Sequence, residues 1–184
     1  MLPSGVSKGI PRVGSIAILD RLLADYAVLS TQALSIHWNF QGPEFLSCHE
    51  FFEKRYQRLI YRMDEVAERL RALGALAPAG FSEWAELSDL EDIPLNFFER
   101  PEEFEKKGSR WESPLSLYLS KEQQVRDSIL RTGIPRTEEV DDAVTEDLLV
   151  SCLKEHEKTI WMLRSLLIQM PSQRLIFESQ GRAA

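Results

Sequence analysis

The chain has 184 residues, 43% of them apolar, which suits one compact domain with a sizeable core. Its 22 Lys and Arg stand against 29 Asp and Glu, a net charge of −7. That balance speaks against a nucleic-acid binder working through a general basic surface, and it suits a protein that meets cations.

No apolar run reaches the roughly 18–20 residues that span a bilayer. The opening MLPSGVSKGIPRVGS lacks the apolar stretch of a secretory signal. Cys48 and Cys152 have no CxxC or disulfide-framework spacing and read as small buried hydrophobes. The expectation is a cytoplasmic protein without a membrane.

In chain order, Ser15 is a candidate N-cap. Ile16, Leu19, Leu22, Leu23, Tyr26, Leu29, Ala33 and Ile36 then recur at helical spacing, which predicts helix A over about 16–40. Gly42-Pro43 breaks it, and Pro43 suits the first position of helix B, about 43–73, closed by Gly74. FSEWAELSDL (81–90) predicts a short helix capped by Ser82. Residues 91–112 read as an irregular connection, broken by Pro94, Pro101 and Gly108 and carrying Phe97, Phe98, Phe104 and Trp111.

Helix C is predicted over about 114–132, ending before Gly133 and Pro135. Helix D starts at Thr137 or Asp141 and ends before Pro171. Nothing has the period of a strand. The prediction is an all-α fold: a ferritin-like four-helix bundle with a short extra helix in the B–C crossover. The whole chain, 1–184, forms one domain, with about 1–14 and 171–184 as flexible or extended tails.

Bundles bind metals through side chains projecting inward, and di-iron bundles use Glu-x-x-His pairs. Here leucines (Leu34, Leu46 and Leu153) stand three residues before His37, His49 and His156, so that motif is absent. Metal-suited residues cluster instead in the first half: His37 on helix A, then His49, Glu53, Asp64 and Glu68 on helix B. His49 and Glu53 share a face, as do Asp64 and Glu68. The two pairs lie only about 60° apart around the helix but about 22 Å apart along it. Metal–ligand distances are near 2 Å, so one ion cannot be held by both pairs of one chain.

An antiparallel helix B from a second chain would bring Asp64 and Glu68 to His37 and His49, in two symmetric sites. Equally, Asp64 and Glu68 can be a solvated face beside Arg62 and Arg69. Spacing alone leaves both readings open.

The stretch IHWNFQGPEFLSCHEFFEKRYQRLIYRMDEVAERLRALG (36–74) resembles the Dps family, the ferritin-like mini-shells of DNA protection during starvation. The matching features are H-W-N at 37–39, G-P-x-F at 42–45, His49 with F-x-E at 51–53, D-E-x-A-E-R at 64–69 and R-A-L-G at 71–74. TEDLLVSCLKEHEKTIWMLRSLL (145–167) looks like the family's last helix.

The resemblance implies a dodecameric shell with ferroxidase centres at two-fold interfaces. Its ligands would be His37, His49, Asp64 and Glu68, with Glu53 as an accessory acid and Trp38 as an electron donor. It further implies oxidation of Fe²⁺ by hydrogen peroxide or O₂ and storage of ferric mineral, with zinc able to occupy the same ligands. Asp147 and Asp142 fall where the family lines its three-fold pores; as acids near a helix start they also complement the helix dipole.

The family's DNA binders carry Lys-rich tails. This chain has only Lys8 and Arg12 in its first fifteen residues, and Arg174 and Arg182 against Glu178 in its last sixteen. Direct DNA binding is therefore not expected, and a DNA-compacting protein with secondary, slow or zinc-occupied ferroxidase chemistry is the alternative. His156, on the apolar stripe of helix D, reads as a satisfied core histidine.

Overall fold

A computed structural model describes residues 12–41, 44–95 and 114–168. Among them there is no strand. Four long helical elements form an antiparallel bundle: α1 (Arg12–Asn39), α2 (Phe45–Ala72), α4 (Pro114–Ser128) with its continuation, and α6 (Ala143–Ile168). The short α3 (Phe81–Leu87) lies in the crossover and packs on α1. No helix among the described residues is long and apolar enough to cross a membrane.

The core follows from heptad-like spacing. Buried positions on α2 are Cys48, Phe52, Arg55, Leu59, Arg62, Val66 and Leu70, alternating by four and three as far as Val66 and closing with a further step of four. Leu19, Leu22, Tyr26, Leu29, Ala33 and Ile36 of α1 face them, as do Leu115, Tyr118, Glu122 and Val125 of α4. Leu149, Cys152, His156, Leu163 and Leu167 complete the core from α6. Both cysteines are buried free thiols, as their spacing suggests.

Polar contacts fix the crossover. Ser88 donates to Asp25 at 2.6 Å, and Arg21 pairs with Asp89 at 2.6 Å. The Glu91 carbonyl accepts from Gln32 at 2.8 Å and also from Lys121. This segment is thereby tied to both α1 and α4.

Several helix ends differ from the prediction. Ser15 is buried inside α1 rather than capping it, because Arg12–Gly14 already belong to the helix. Gly14 lets the backbone approach α5 (Ile134–Glu139): a Cβ there would lie 3.1 Å from Arg136 Cγ. The short helix is capped at Gly80, whose amide donates to Glu83 Oε2 at 3.0 Å; Ser82 lies within the helix.

Helix C does not stop before Gly133. It widens into one π-helical turn, Ile129–Gly133, and runs on as α5. Pro135, which has no N–H to donate, sits in the first turn of α5 directly after the π turn. Gly133 is buried, and a Cβ there would sit 3.1 Å from Leu149 Cδ1. Helix D begins at Ala143. Of the anticipated connection only 91–95 is described; its four aromatics and most of both tails lie outside the described residues.

Candidate metal centre

The α1–α2 corner holds two of the chain's three histidines. Their rings stack with centroids 3.8 Å apart and planes 18° from parallel. His37 Nδ1 donates to the His49 carbonyl at 2.9 Å, and His49 Nδ1 donates to the His37 carbonyl at 3.0 Å.

A carbonyl can only accept, so each Nδ1 carries the proton and each neutral ring keeps its free lone pair on Nε2. That is the tautomer a metal ion requires, held by an outer hydrogen bond of the kind that orients ligating histidines. The His37 carbonyl is one of those left without a partner at the end of α1, so the His49 bond also caps that helix. Phe45 stacks on His49 at 5.2 Å, and Tyr56 meets His37 edge-on at 5.6 Å. The rings are therefore fixed on both outer sides.

The carboxylates are not brought to this corner. Asp64 and Glu68 are exposed on α2, about 22 Å and more beyond His49 along the helix axis. Glu53, one turn after His49, is half-buried. Among the described residues no three His, Cys, Asp or Glu side chains converge on a metal position within one chain. Trp38 turns away from the core and is 68% exposed.

The two pore candidates part company. Asp142 is buried and occupied: it accepts from Thr145 N at 3.2 Å, from Thr145 Oγ1 at 2.7 Å and from Arg69 at 2.6 Å. Burial raises its pKa, but the Thr145 hydrogen bonds and nearby groups including Arg69 outweigh this and hold the carboxyl below its ordinary value. Asp142 is therefore the N-cap of α6 and not a free acid of a pore. Asp147, one turn further on, is exposed.

A second polar cluster lies in the core, with a contribution from every long helix. Arg55 (α2) grips Glu122 (α4) with two bonds of 2.7 and 2.8 Å and reaches Glu155 (α6) at 3.2 Å. His156 (α6) donates from Nδ1 to Glu122 Oε2 at 2.6 Å, and its Nε2 accepts from the Tyr26 hydroxyl (α1) at 3.2 Å. Burial would raise the Glu122 pKa, but Arg55 and His156 outweigh it and hold the carboxyl at about 2. Burial pushes the Tyr26 phenol well up. His156 is thus the satisfied core histidine expected from its stripe. The sequence reading missed Arg55 and Glu122, although a signal existed: each occupies a core position in a mostly apolar helical stripe.

This inward-wired bundle with a crossover is the ferritin-like architecture, and the ferritin-like domain profile matches residues 16–172. DNA protection during starvation protein 2 of Bacillus anthracis is 31% identical over 154 residues, covering 84% of this chain and 97% of its own. A low temperature-induced protein of Nostoc is 31% identical over 165 residues, covering 87% of this chain and 83% of its own. The structure of Dps from Listeria monocytogenes superposes with a TM-score of 0.73 at 26% identity, over 89% of this chain and 97% of that one. DpsC from Streptomyces coelicolor superposes with a TM-score of 0.76 at 26% identity, over 93% and 92%. The chain belongs to the Dps family of ferritin-like proteins. Dps from Listeria innocua has been soaked with cobalt and with zinc.

Proposed function

We propose that this protein is an iron-sequestering ferroxidase that works as a symmetric, dodecameric shell. The observation that carries the reading is the stacked His37–His49 pair, with both Nδ1 protons tied to carbonyls and both Nε2 lone pairs free.

Two imidazoles are half a coordination sphere. The missing half is carboxylate, and Asp64 and Glu68 are exposed on the same helix but out of reach of their own histidines. A second α2, antiparallel across a two-fold axis, supplies them and creates two equal sites. Exposed Leu46, Ile60 and Tyr61 on α2 provide apolar surface for that contact.

Fe²⁺ is the substrate. Imidazole and carboxylate together suit it, and carboxylate favours the harder Fe³⁺ as oxidation proceeds. Two Fe²⁺ deliver one electron each to one hydrogen peroxide, which takes two protons and leaves as two waters; O₂ is the alternative oxidant. Glu53 holds the weaker of the two ions, and Trp38 gives up an electron. Ferric product is stored inside the shell, which limits oxidative damage. Asp147 lines the route for incoming iron. Zinc competes for the same ligands.

Co-assembly tests the shared site. His49→Ala and Asp64→Ala chains should each lose most fast peroxide-dependent Fe²⁺ oxidation. In a mixed pair one site collects both lesions and the other is intact, so random mixing should restore about one quarter of the wild-type rate. Absence of recovery in a correctly assembled mixed shell would refute the shared centre.

A further inference from the structure

The core cluster has the composition of a metal site with a guanidinium in the middle of it. Glu122, Glu155 and His156 are metal-ligand residue types, contributed by two facing helices. Arg55 is 5% exposed, Glu122 is fully buried and His156 is 1% exposed. Arg55 lies between the two carboxylates, bonding Glu122 on one side and Glu155 on the other, and in the native chain the three ligand-type residues do not converge on a metal. Glu155 is also held by Arg58 at 3.0 Å and by Arg62 at 2.7 Å, so guanidinium groups stand on the outer side of the cluster as well.

We propose that Arg55 decides where this chain binds metal: its guanidinium is a built-in cation that excludes divalent ions from the bundle core. Its removal would leave one carboxylate in excess in a buried site, where an unpaired charge is costly and a cation is the natural remedy. A divalent ion takes carboxylate and imidazole together. The His156 proton need not obstruct this. In the neutral ring it can sit on Nε2 and be donated to the Tyr26 oxygen, which accepts as readily as it donates. His156 Nδ1 would then offer its lone pair on the Glu122 side without losing a hydrogen bond to Tyr26.

This inference does not depend on the interface site, and its test is made where that site has been deleted. In a His49→Ala/Asp64→Ala background, Arg55→Gln should bind one additional Co²⁺ per chain by equilibrium dialysis, with a new visible absorption band. Adding Glu122→Gln should abolish both signals. Arg55→Lys, which keeps a cation in place, should show neither. A folded Arg55→Gln chain that binds no more Co²⁺ than its parent would overturn the proposal, as would an added ion in Arg55→Lys. If Arg55→Gln is unfolded without metal, Co²⁺ should restore its helical circular dichroism, because a ligand that binds only the folded state stabilises it. A chain that stays unfolded in saturating Co²⁺ would equally overturn the idea.

Discussion

Glu122 is a fully buried carboxylate in a protein interior, and its neighbours decide its effect on stability. Arg55 and His156 lower its pKa from 4.5 to about 2 despite burial. A carboxyl depressed in the folded state stabilises above its unfolded value, and that contribution drains away as pH falls through the folded value. The drop from pH 4.5 to about 2 should therefore cost about 3 kcal/mol from this group. Urea titrations across that window should show a flatter pH dependence for Glu122→Gln. At neutral pH the same variant should be less stable by about 3–5 kcal/mol, because Arg55 is left as an uncompensated buried charge. His156 was legible as a core residue from its place on a leucine stripe. Its partners were not, because periodicity says which side faces inward and cannot say which polar groups meet there.

At the scale of the elements, α2 ends in a way its sequence announces. Gly74 has φ +89°, its amide donates to the Arg71 carbonyl and the Ala75 amide to the Leu70 carbonyl, both at 3.0 Å. This is the paired closure of a helix by a left-handed residue. A Cβ on Gly74 would meet nothing within 4 Å, so a substitution there meets backbone strain alone. Gly74→Ala should lower stability by about 1 kcal/mol and Gly74→Asn by less, read from denaturant midpoints. The end of helix C was less legible. Gly133 and Pro135 are ordinary stop signals, yet the π turn carries the helix past them. Gly133 is there for the close approach of Leu149, a tertiary demand that local pattern cannot reveal.

For the whole molecule, the bundle and its crossover were readable because four long amphipathic segments leave few other packings. The histidine pair was readable as a cluster, and the rise of one helix already showed that Asp64 and Glu68 cannot reach the histidines of their own chain. That Asp142 caps α6 while Asp147 stays exposed needed coordinates. Asp142→Ala should cost about 1–2 kcal/mol through the lost cap. Asp147→Asn should change stability by no more than about 0.5 kcal/mol but slow the uptake of external Fe²⁺ several-fold. Stopped-flow uptake equal to wild type in the Asp147→Asn shell would remove that residue from the iron route.

The reciprocal bonds between His37 and His49 have a consequence for the corner that joins α1 to α2. Each imidazole grips the other residue's main chain, so the spacing between the two helices is measured at both ends of one clasp. Surface connections ordinarily tolerate added residues at small entropic cost. This one cannot lengthen without releasing both rings, their tautomers and the end of α1 together. The twelve-residue interval between the histidines is therefore a dimension of the clasp itself, and a single subunit holds both rings in place without help from a partner.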